Sequence, residues 1–359
     1  MVPTVAVLRG DGVGPEVLEA ALSVLGAIHP VRIEEGLVGG AAIDAKGDPL
    51  PAETLALCRQ SQAVLLGAVG GPKWESGAVR PEAGLLRLRQ GLGLYANLRP
   101  ARFMGLETPL RDGLVRHANL LIVRDLAGGV YFGEPRGTSA DGSEAFDTWR
   151  QTVVQTERVA HVAFREARRR RRRVTSVDKA NVLASSRLWR ETVTKVSKQY
   201  PEIDLEHRYV DAMSFEMLQS PQRFDVILAD NLFGDILSDE AAAVVGSIGL
   251  LPSASLGEGT PLFEPVHGSA PTLVGRGIAN PTGALLSIAM MLEYALKRPD
   301  QARLLEAAVA GALREARTPD VGGRATTAEL TALVHRHLGW LRHAEPAADE
   351  AVTTYEWGV

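Results

Sequence analysis

A chain of 359 residues, 45% hydrophobic and 23% charged, holds enough apolar material for two domains or for one large α/β unit with a second lobe. Its net charge of −4 gives no overall pull toward nucleic acid or an anionic membrane. Its one cysteine, Cys58, excludes an intrachain disulfide and fits a reducing, cytoplasmic setting. The opening MVPTVAVLRGDG lacks the basic start and long apolar core of a signal peptide, and no apolar run nears the ~18 residues that span a bilayer.

Strand-like and helix-like segments then alternate. TVAVLR reads as a strand and GPEVLEAALSVLGAI as a helix with Pro15 in its first turn. Between them, RGDGVGPE invites a dinucleotide-loop reading. Gly10, Gly12 and Gly14 give G-x-G-x-G where the fingerprint needs G-x-G-x-x-G, and Pro15 removes an N–H that a phosphate would use, so a tight turn is expected. AVLLGAV (63–69) is a buried strand, GLLRLRQGLGLY a short helix and ANLLIVRDL (118–126) a strand. YFGEPRGTSADGSEAFDT has too many turn residues to be core. A helix ending in six arginines (168–173) comes next; the run is either a helix end facing solvent, its cations complementing the dipole, or a basic patch. VTSVD is a strand, SSRLWRETVTKVSKQY a helix, and LEHRYVDA and FDVILAD are strands around the short helix MSFEML. The last third opens with a Gly/Pro/Ser-rich stretch and closes with helices from Pro281, Gln301 and Thr326. The alternation predicts an α/β fold with a parallel or mixed sheet.

NLFGDILSDE resists a scaffold reading. It opens a helix, so Asp235 and Asp239 share a face with Cβ atoms about 5–6 Å apart and repel by a few tenths of a kcal/mol. Either Asp235 caps the helix and Asp239 is solvated, or a divalent cation sits over both. Other charges interrupt apolar frames: Arg124 in LLIVRDL, Lys179 after VTSVD, Asp211 at the end of HRYVDA, and Arg99 in YANLRP, extended because a proline follows. Buried charges are costly unless paired or bound to a ligand. With Arg89 they would form a pocket for a polycarboxylate and a divalent cation, since arginine clamps carboxylates and Mg²⁺ takes carboxylate oxygens. Unrelated structural ion pairs are the alternative. HGSAPTLVGRGIANP (267–281) offers N–H groups, hydroxyls and an imidazole to a phosphate-bearing ligand.

GDGVGPE, GGAAID, GAVGGPKW, YANLRP, RDLAGGVYFGEPRG, VTSVDKANVL, YVDAM, NLFGDILSDE, GTPLFEPVHGSAP and GIANPTGALLS follow one another over nearly the whole chain. In this order they resemble the β-hydroxyacid oxidative decarboxylases, the isocitrate/isopropylmalate dehydrogenase family. Ahead of Arg89 stand Glu82, Leu85 and Leu86, similar to the isopropylmalate branch, where the leucines meet an isopropyl group; an apolar pair cannot satisfy the additional carboxylate of isocitrate. The resemblance implies oxidative decarboxylation of 3-isopropylmalate to 4-methyl-2-oxopentanoate and CO₂, a leucine-biosynthesis step that depends on NAD and on Mg²⁺ or Mn²⁺. It implies a cytoplasmic homodimer with shared active sites, and no nucleic-acid or membrane partner.

By the same resemblance, Arg89, Arg99 and Arg124 clamp the malate carboxylates. Asp235 and Asp239 hold the metal with Asp211 from the other subunit. Lys179, also from the other subunit, takes the C2 hydroxyl proton, and Tyr131 protonates the enol. The cofactor is implied along His267, Gly268, Ser269, Ala270, Pro271, Thr272, Leu273 and Asn280, with Val13 and Glu264 near its nicotinamide end. The implied fold is the isocitrate/isopropylmalate dehydrogenase-like α/β fold, two-domain with a mixed sheet and not Rossmann. Its large domain is 1–94 plus 246–345, and a small central domain, 95–245, carries the dimer interface; a loose tail covers 346–359. YFGEPRGTSADGSEAFDT is implied to be an arm exchanged between subunits.

Four positions depart from the family pattern. NAD-using members carry Asp-Ile where this chain has Thr272 and Leu273, and NADP-using relatives often carry Lys-Tyr. Thr272 brings no charge to repel a 2′-phosphate, so NAD use with weakened discrimination is expected. Arg9 replaces a proline, and Ala127 a hydroxyl-bearing residue.

Overall fold

The computed structural model describes residues 2–343; the tail expected at 346–359 lies outside them. Among the described residues there are twelve strands: β1 (Thr4–Gly10), β2 (Arg32–Glu35), β3 (Ala63–Ala68), β4 (Leu94–Arg102), β5 (Asn119–Asp125), β6 (Gly137–Thr138), β7 (Ala145–Phe146), β8 (Arg173–Asp178), β9 (Asp204–Tyr209), β10 (Val226–Ala229), β11 (Pro252–Gly257) and β12 (Leu262–Pro265). The described chain divides into two compact units, one of residues 2–94, 104–108 and 245–343, the other of 95–103 and 109–244.

In the first unit the strand order is β2-β1-β3-β12-β11, parallel except for the antiparallel β11–β12 pair. Val5, Ala6, Val7 and Leu8 of β1 and all of β3 are buried, the continuous apolar run of strands covered on both faces. Helix Thr282–Tyr294 is buried through eleven consecutive residues to Leu292, and is therefore apolar all round. The Gly/Pro/Ser-rich stretch is more ordered than its composition suggests. It holds β11 and β12, disguised by wholly buried Ser253 and Ser255 and by prolines at the strand ends.

In the second unit the order is β4-β5-β10-β8-β9, with β4–β5 antiparallel and the rest parallel. The low-periodicity segment after β5 forms the small antiparallel ribbon β6–β7. Two boundaries shift from expectation. GLLRLRQGLGLY splits at Gly93, whose φ of +62° turns helix Pro81–Gly91 into β4. The strand through HRYVDA stops at Tyr209, which leaves Asp211 in the first turn of helix Val210–Gln219, where an acid is favoured by the helix dipole.

The arginine run is more than a solvated helix end. Helix Val153–Arg168 is N-capped by Thr152, whose side chain accepts from Gln155 N. Beyond it, Arg170 donates from Nε to the wholly buried Asp225 at 2.8 Å and from Nη2 to the Asn119 carbonyl at 2.9 Å. Arg171 donates to the carbonyls of Gln222 and Phe224, and Arg168 to Glu202. These groups tie down the starts of β5 and β10. No helix among the described residues is long and apolar enough to cross a membrane.

Candidate active site

The sheet of the second unit sets three polar side chains on one face. Asn97 of β4 stands opposite Arg124 of β5 in the antiparallel register, and Arg99, two residues on, points the same way. Arg99 is 8% exposed and Arg124 2%. Arg124 also neighbours Ala229, the last residue of β10. There Asp230 N-caps helix Asn231–Glu240, its Oδ1 accepting from Phe233 N at 2.9 Å. The cap is thus Asp230, and Asp235 and Asp239 are free to face the arginines.

Arg124 Nη1 donates to Asp235 Oδ1, and Tyr131 donates from its hydroxyl to Asp235 Oδ2 at 2.9 Å. Arg99 Nη1 lies 3.4 Å from Asp235 Oδ1 and 3.1 Å from Asp239 Oδ1. Gly234 makes this possible: a Cβ there would fall 2.7 Å from Arg124 Cγ, so only glycine lets the arginine stem lie along the helix. Burial pushes the Asp239 carboxyl above its ordinary range, against the pull of Arg99. Burial, and then Asp235, push the Tyr131 phenol up, so at neutral pH it remains a proton donor.

A second cluster joins the ends of β8 and β9, where Asp178 pairs with Tyr209. Lys179 Nζ donates to Asp211 Oδ1 at 2.5 Å, and this bond holds the exposed Asp211 carboxyl below its usual range. The chain therefore brings Arg99, Arg124, Tyr131, Asp235 and Asp239 together, and pairs Lys179 with Asp211 separately. Among the described residues no three His, Cys, Asp or Glu side chains converge to hold a metal ion.

In the first unit, Glu82, Leu85, Leu86 and Arg89 recur at i, i+3, i+4 and i+7 along one face of helix Pro81–Gly91. Leu85 and Leu86 are half-buried and Glu82 is exposed. Arg89 Nη2 donates to Glu264 Oε1 at 2.7 Å, each residue 7% exposed, while Arg89 Nε is buried with no partner. Glu264 thus serves as the buried counter-ion of Arg89.

The glycine turn after β1 is a brace. Asp11, 4% exposed, accepts from Gly40 N and Ala41 N at 2.8 Å and from Gly70 N at 2.9 Å. Val13 N donates to the Ser269 carbonyl at 2.9 Å, and a Cβ on Gly12, whose φ is +60°, would come within 2.0 Å of that same oxygen. These N–H groups are occupied, as the failed fingerprint implies.

Beside the turn lies a cavity of about 340 Å³. Of the residues implied for the cofactor, Val13, His267, Ala270, Leu273 and Asn280 line it; Gly268, Ser269, Pro271, Thr272 and Glu264 do not. Its wall also includes Ile248, Ile278 and Asp320. Asp320 is fixed by donors from Ser247 Oγ (2.5 Å), Thr318 Oγ1 (2.6 Å) and Asn280 Nδ2 (3.0 Å). Sequence reading missed it, because nothing in TPDVGG separates it from a surface acid. His267 keeps Nδ1 on the Gly268 carbonyl at 2.9 Å, and its Nε2 is buried without a partner; burial pushes its pKa down, so the ring is neutral at pH 7.

A sequence profile described as isocitrate/isopropylmalate dehydrogenase matches residues 4–334. The chain is 52% identical over 351 residues to a 3-isopropylmalate dehydrogenase of Moorella thermoacetica, covering 93% of this chain and 98% of that one. It is 47% identical over 357 residues to the 3-isopropylmalate dehydrogenase of Aquifex aeolicus, covering 95% and 98%. Among solved structures, an isocitrate dehydrogenase from Methylococcus capsulatus superposes with a TM-score of 0.87 at 38% identity, covering 94% of this chain and 99% of that one. A β-decarboxylating dehydrogenase from Thermococcus kodakarensis, in its apo form, does so with a TM-score of 0.82 at 37% identity, covering 98% and 100%.

Proposed function

The chain belongs to the isocitrate/isopropylmalate dehydrogenase family and has its α/β fold, and from that footing we propose the reaction and the residues that perform it. The protein is an NAD-dependent and divalent-metal-dependent oxidoreductase. It converts 3-isopropylmalate to 4-methyl-2-oxopentanoate and CO₂ in leucine biosynthesis. The observation that carries the residue-level reading is the convergence of Arg99, Arg124 and Tyr131 on the face of Asp235 and Asp239.

Asp235 and Asp239 fit Mg²⁺ or Mn²⁺: both are hard oxygen donors, four apart on one helix, with side chains 31% and 53% exposed. The third carboxylate, Asp211 of the partner subunit, completes the set in a homodimer; among the described residues of one chain only Asp235 and Asp239 of the three share a site. When bound, the cation supplies Lewis acidity toward the substrate's C2 oxygen. NAD would accept the hydride, and its adenosine half would be held in the apolar cavity, with the unpartnered His267 Nε2 and the flanking Asn280 and Asp320 as its polar contacts.

The chain's own groups divide the rest of the work. Arg89, Arg99 and Arg124 orient the two carboxylates, Glu82 stands at the head of the stripe, and Leu85 and Leu86 face the isopropyl group. Lys179 of the partner subunit takes the C2 hydroxyl proton. Loss of CO₂ leaves an enol, and Tyr131, which keeps its proton at neutral pH, donates to its C3 carbon. The large lobe is the unit of 2–94, 104–108 and 245–343 and the small one that of 95–103 and 109–244, the ribbon β6–β7 being the arm that reaches a second copy in the cytoplasm.

The test is reduced-nicotinamide formation from 3-isopropylmalate with Mg²⁺, run with NAD and with NADP and repeated in excess EDTA. Activity with NAD that vanishes with chelator is expected. A folded dimer inactive with both cofactors would overturn the substrate reading.

A further inference from the structure

Resting on that reading, we infer that Asn97 and Asn231 are positioning residues, which hold Arg99 and Arg124 in place while leaving their positive charge for the substrate. Asn97 is wholly buried in β4, where asparagine is a poor strand former, so a packing role does not explain it. Its Oδ1 accepts from Arg99 Nε at 2.7 Å. Asn231, 1% exposed, accepts through Oδ1 from Arg124 Nη2 at 2.7 Å and Nε at 3.2 Å, and through its backbone carbonyl from Nε at 2.9 Å. Its Nδ2 donates to the Gly128 carbonyl at 3.3 Å, which fixes the amide with its oxygen toward the guanidinium.

The residue type is the informative part. A carboxylate would accept the same bonds but would neutralise the arginine, as Glu264 does for Arg89. An amide has the reach of aspartate, an acceptor oxygen and no charge. Arg99 and Arg124 are already balanced by Asp235 and Asp239, so a further carboxylate would make the cluster net negative and repel the two carboxylates of a malate. Arg89 takes one carboxylate, from Glu264, whereas Arg99 and Arg124, which already face two aspartates, are held by amides that add no further charge.

The isosteric variants N231D and N97D separate this role from a structural one. Asn231 is the first residue of its helix, where an acid is favoured, so the helix itself tolerates N231D and only the long Nδ2 bond to the Gly128 carbonyl is lost with the amide. We expect KM for 3-isopropylmalate to rise about 10- to 100-fold in each variant, with kcat changed by less than about threefold. Mn²⁺ binding without substrate, read by electron paramagnetic resonance, should be unchanged or tighter. Circular dichroism and thermal melting should match wild type; if N231D melts early, N97D, on a strand away from the helix start, decides. A folded variant with wild-type KM, or with kcat lowered at unchanged KM, overturns the inference. Wild-type protein that fails to oxidise 3-isopropylmalate would instead overturn the functional reading beneath it.

Discussion

Replacing Asp230 with asparagine should preserve the helix that carries Asp235 and Asp239, and should stabilise the protein above pH 7. Asp230 is 4% exposed, caps the helix through Phe233 N, and shares its surroundings with the buried Asp125 and with Arg124. Burial pushes its carboxyl up to about 7, with Asp125 adding to the rise and Arg124 opposing it. Because this folded-state value is raised, the native protein holds a proton that the unfolded chain loses near pH 4. The stabilisation is complete below that pH and is lost as pH climbs through 7. Over the interval from pH 5 to pH 7, at about 1.4 kcal/mol per unit, the wild type loses about 2–3 kcal/mol relative to D230N, which keeps the Oδ1 acceptor but cannot ionise. Urea unfolding of both proteins at pH 5 and pH 8 reads the difference directly. Parallel stabilities at the two pH values, or a D230N protein less stable at pH 8, would mean that Arg124 keeps Asp230 ionised and that the burial argument is wrong.

Three further outcomes are expected. K179M should lower kcat by about 10²–10⁴-fold while 3-isopropylmalate and NAD still bind by calorimetry; surviving turnover would remove Lys179 from its role as base. T272D, one residue before the cavity-lining Leu273, should raise the ratio of NAD to NADP catalytic efficiency by about tenfold or more, because a carboxylate at the cavity's edge would repel a 2′-phosphate; a wild-type ratio already above about four decades would place the discriminating charge elsewhere, with Asp320 in the cavity wall the first residue to change. G12A forces alanine into a left-handed conformation costing about 1–2 kcal/mol and drives its Cβ against the Ser269 carbonyl; KM for NAD should rise more than KM for 3-isopropylmalate, and equal rises would show general loosening.

What could be read from the sequence follows from how each feature is encoded. The strands that became β1, β3, β5, β8 and β10 are short apolar runs, and composition alone reveals them. β11 and β12 escape the same reading because their buried positions include Ser253 and Ser255, residues that mimic a loop. The arginine run is ambiguous for a similar reason: only the fold brings Arg170 onto Asp225, 55 residues away. Asn97 and Asn231 lie inside motifs visible in the sequence, yet an amide carries no sign that it holds a guanidinium, two positions away for Asn97 and 107 for Asn231, rather than water.

The aspartate pair is the instructive case, because its like-charge spacing was legible and its neutralisation was not. The sequence poses a repulsion that some cation must relieve, and the fold supplies Arg99 and Arg124 from strands more than a hundred residues upstream. Two guanidinium groups and two carboxylates leave the cluster electrically balanced. A divalent cation alone would add two positive charges to it, and a dicarboxylate alone two negative ones, each at a cost that grows as water is excluded. Entering together, they would exchange partners, carboxylate to arginine and cation to aspartate, and the balance would be kept. The helix that sets two aspartates against each other is one half of a charge-matched site, and the other half is written on β4 and β5.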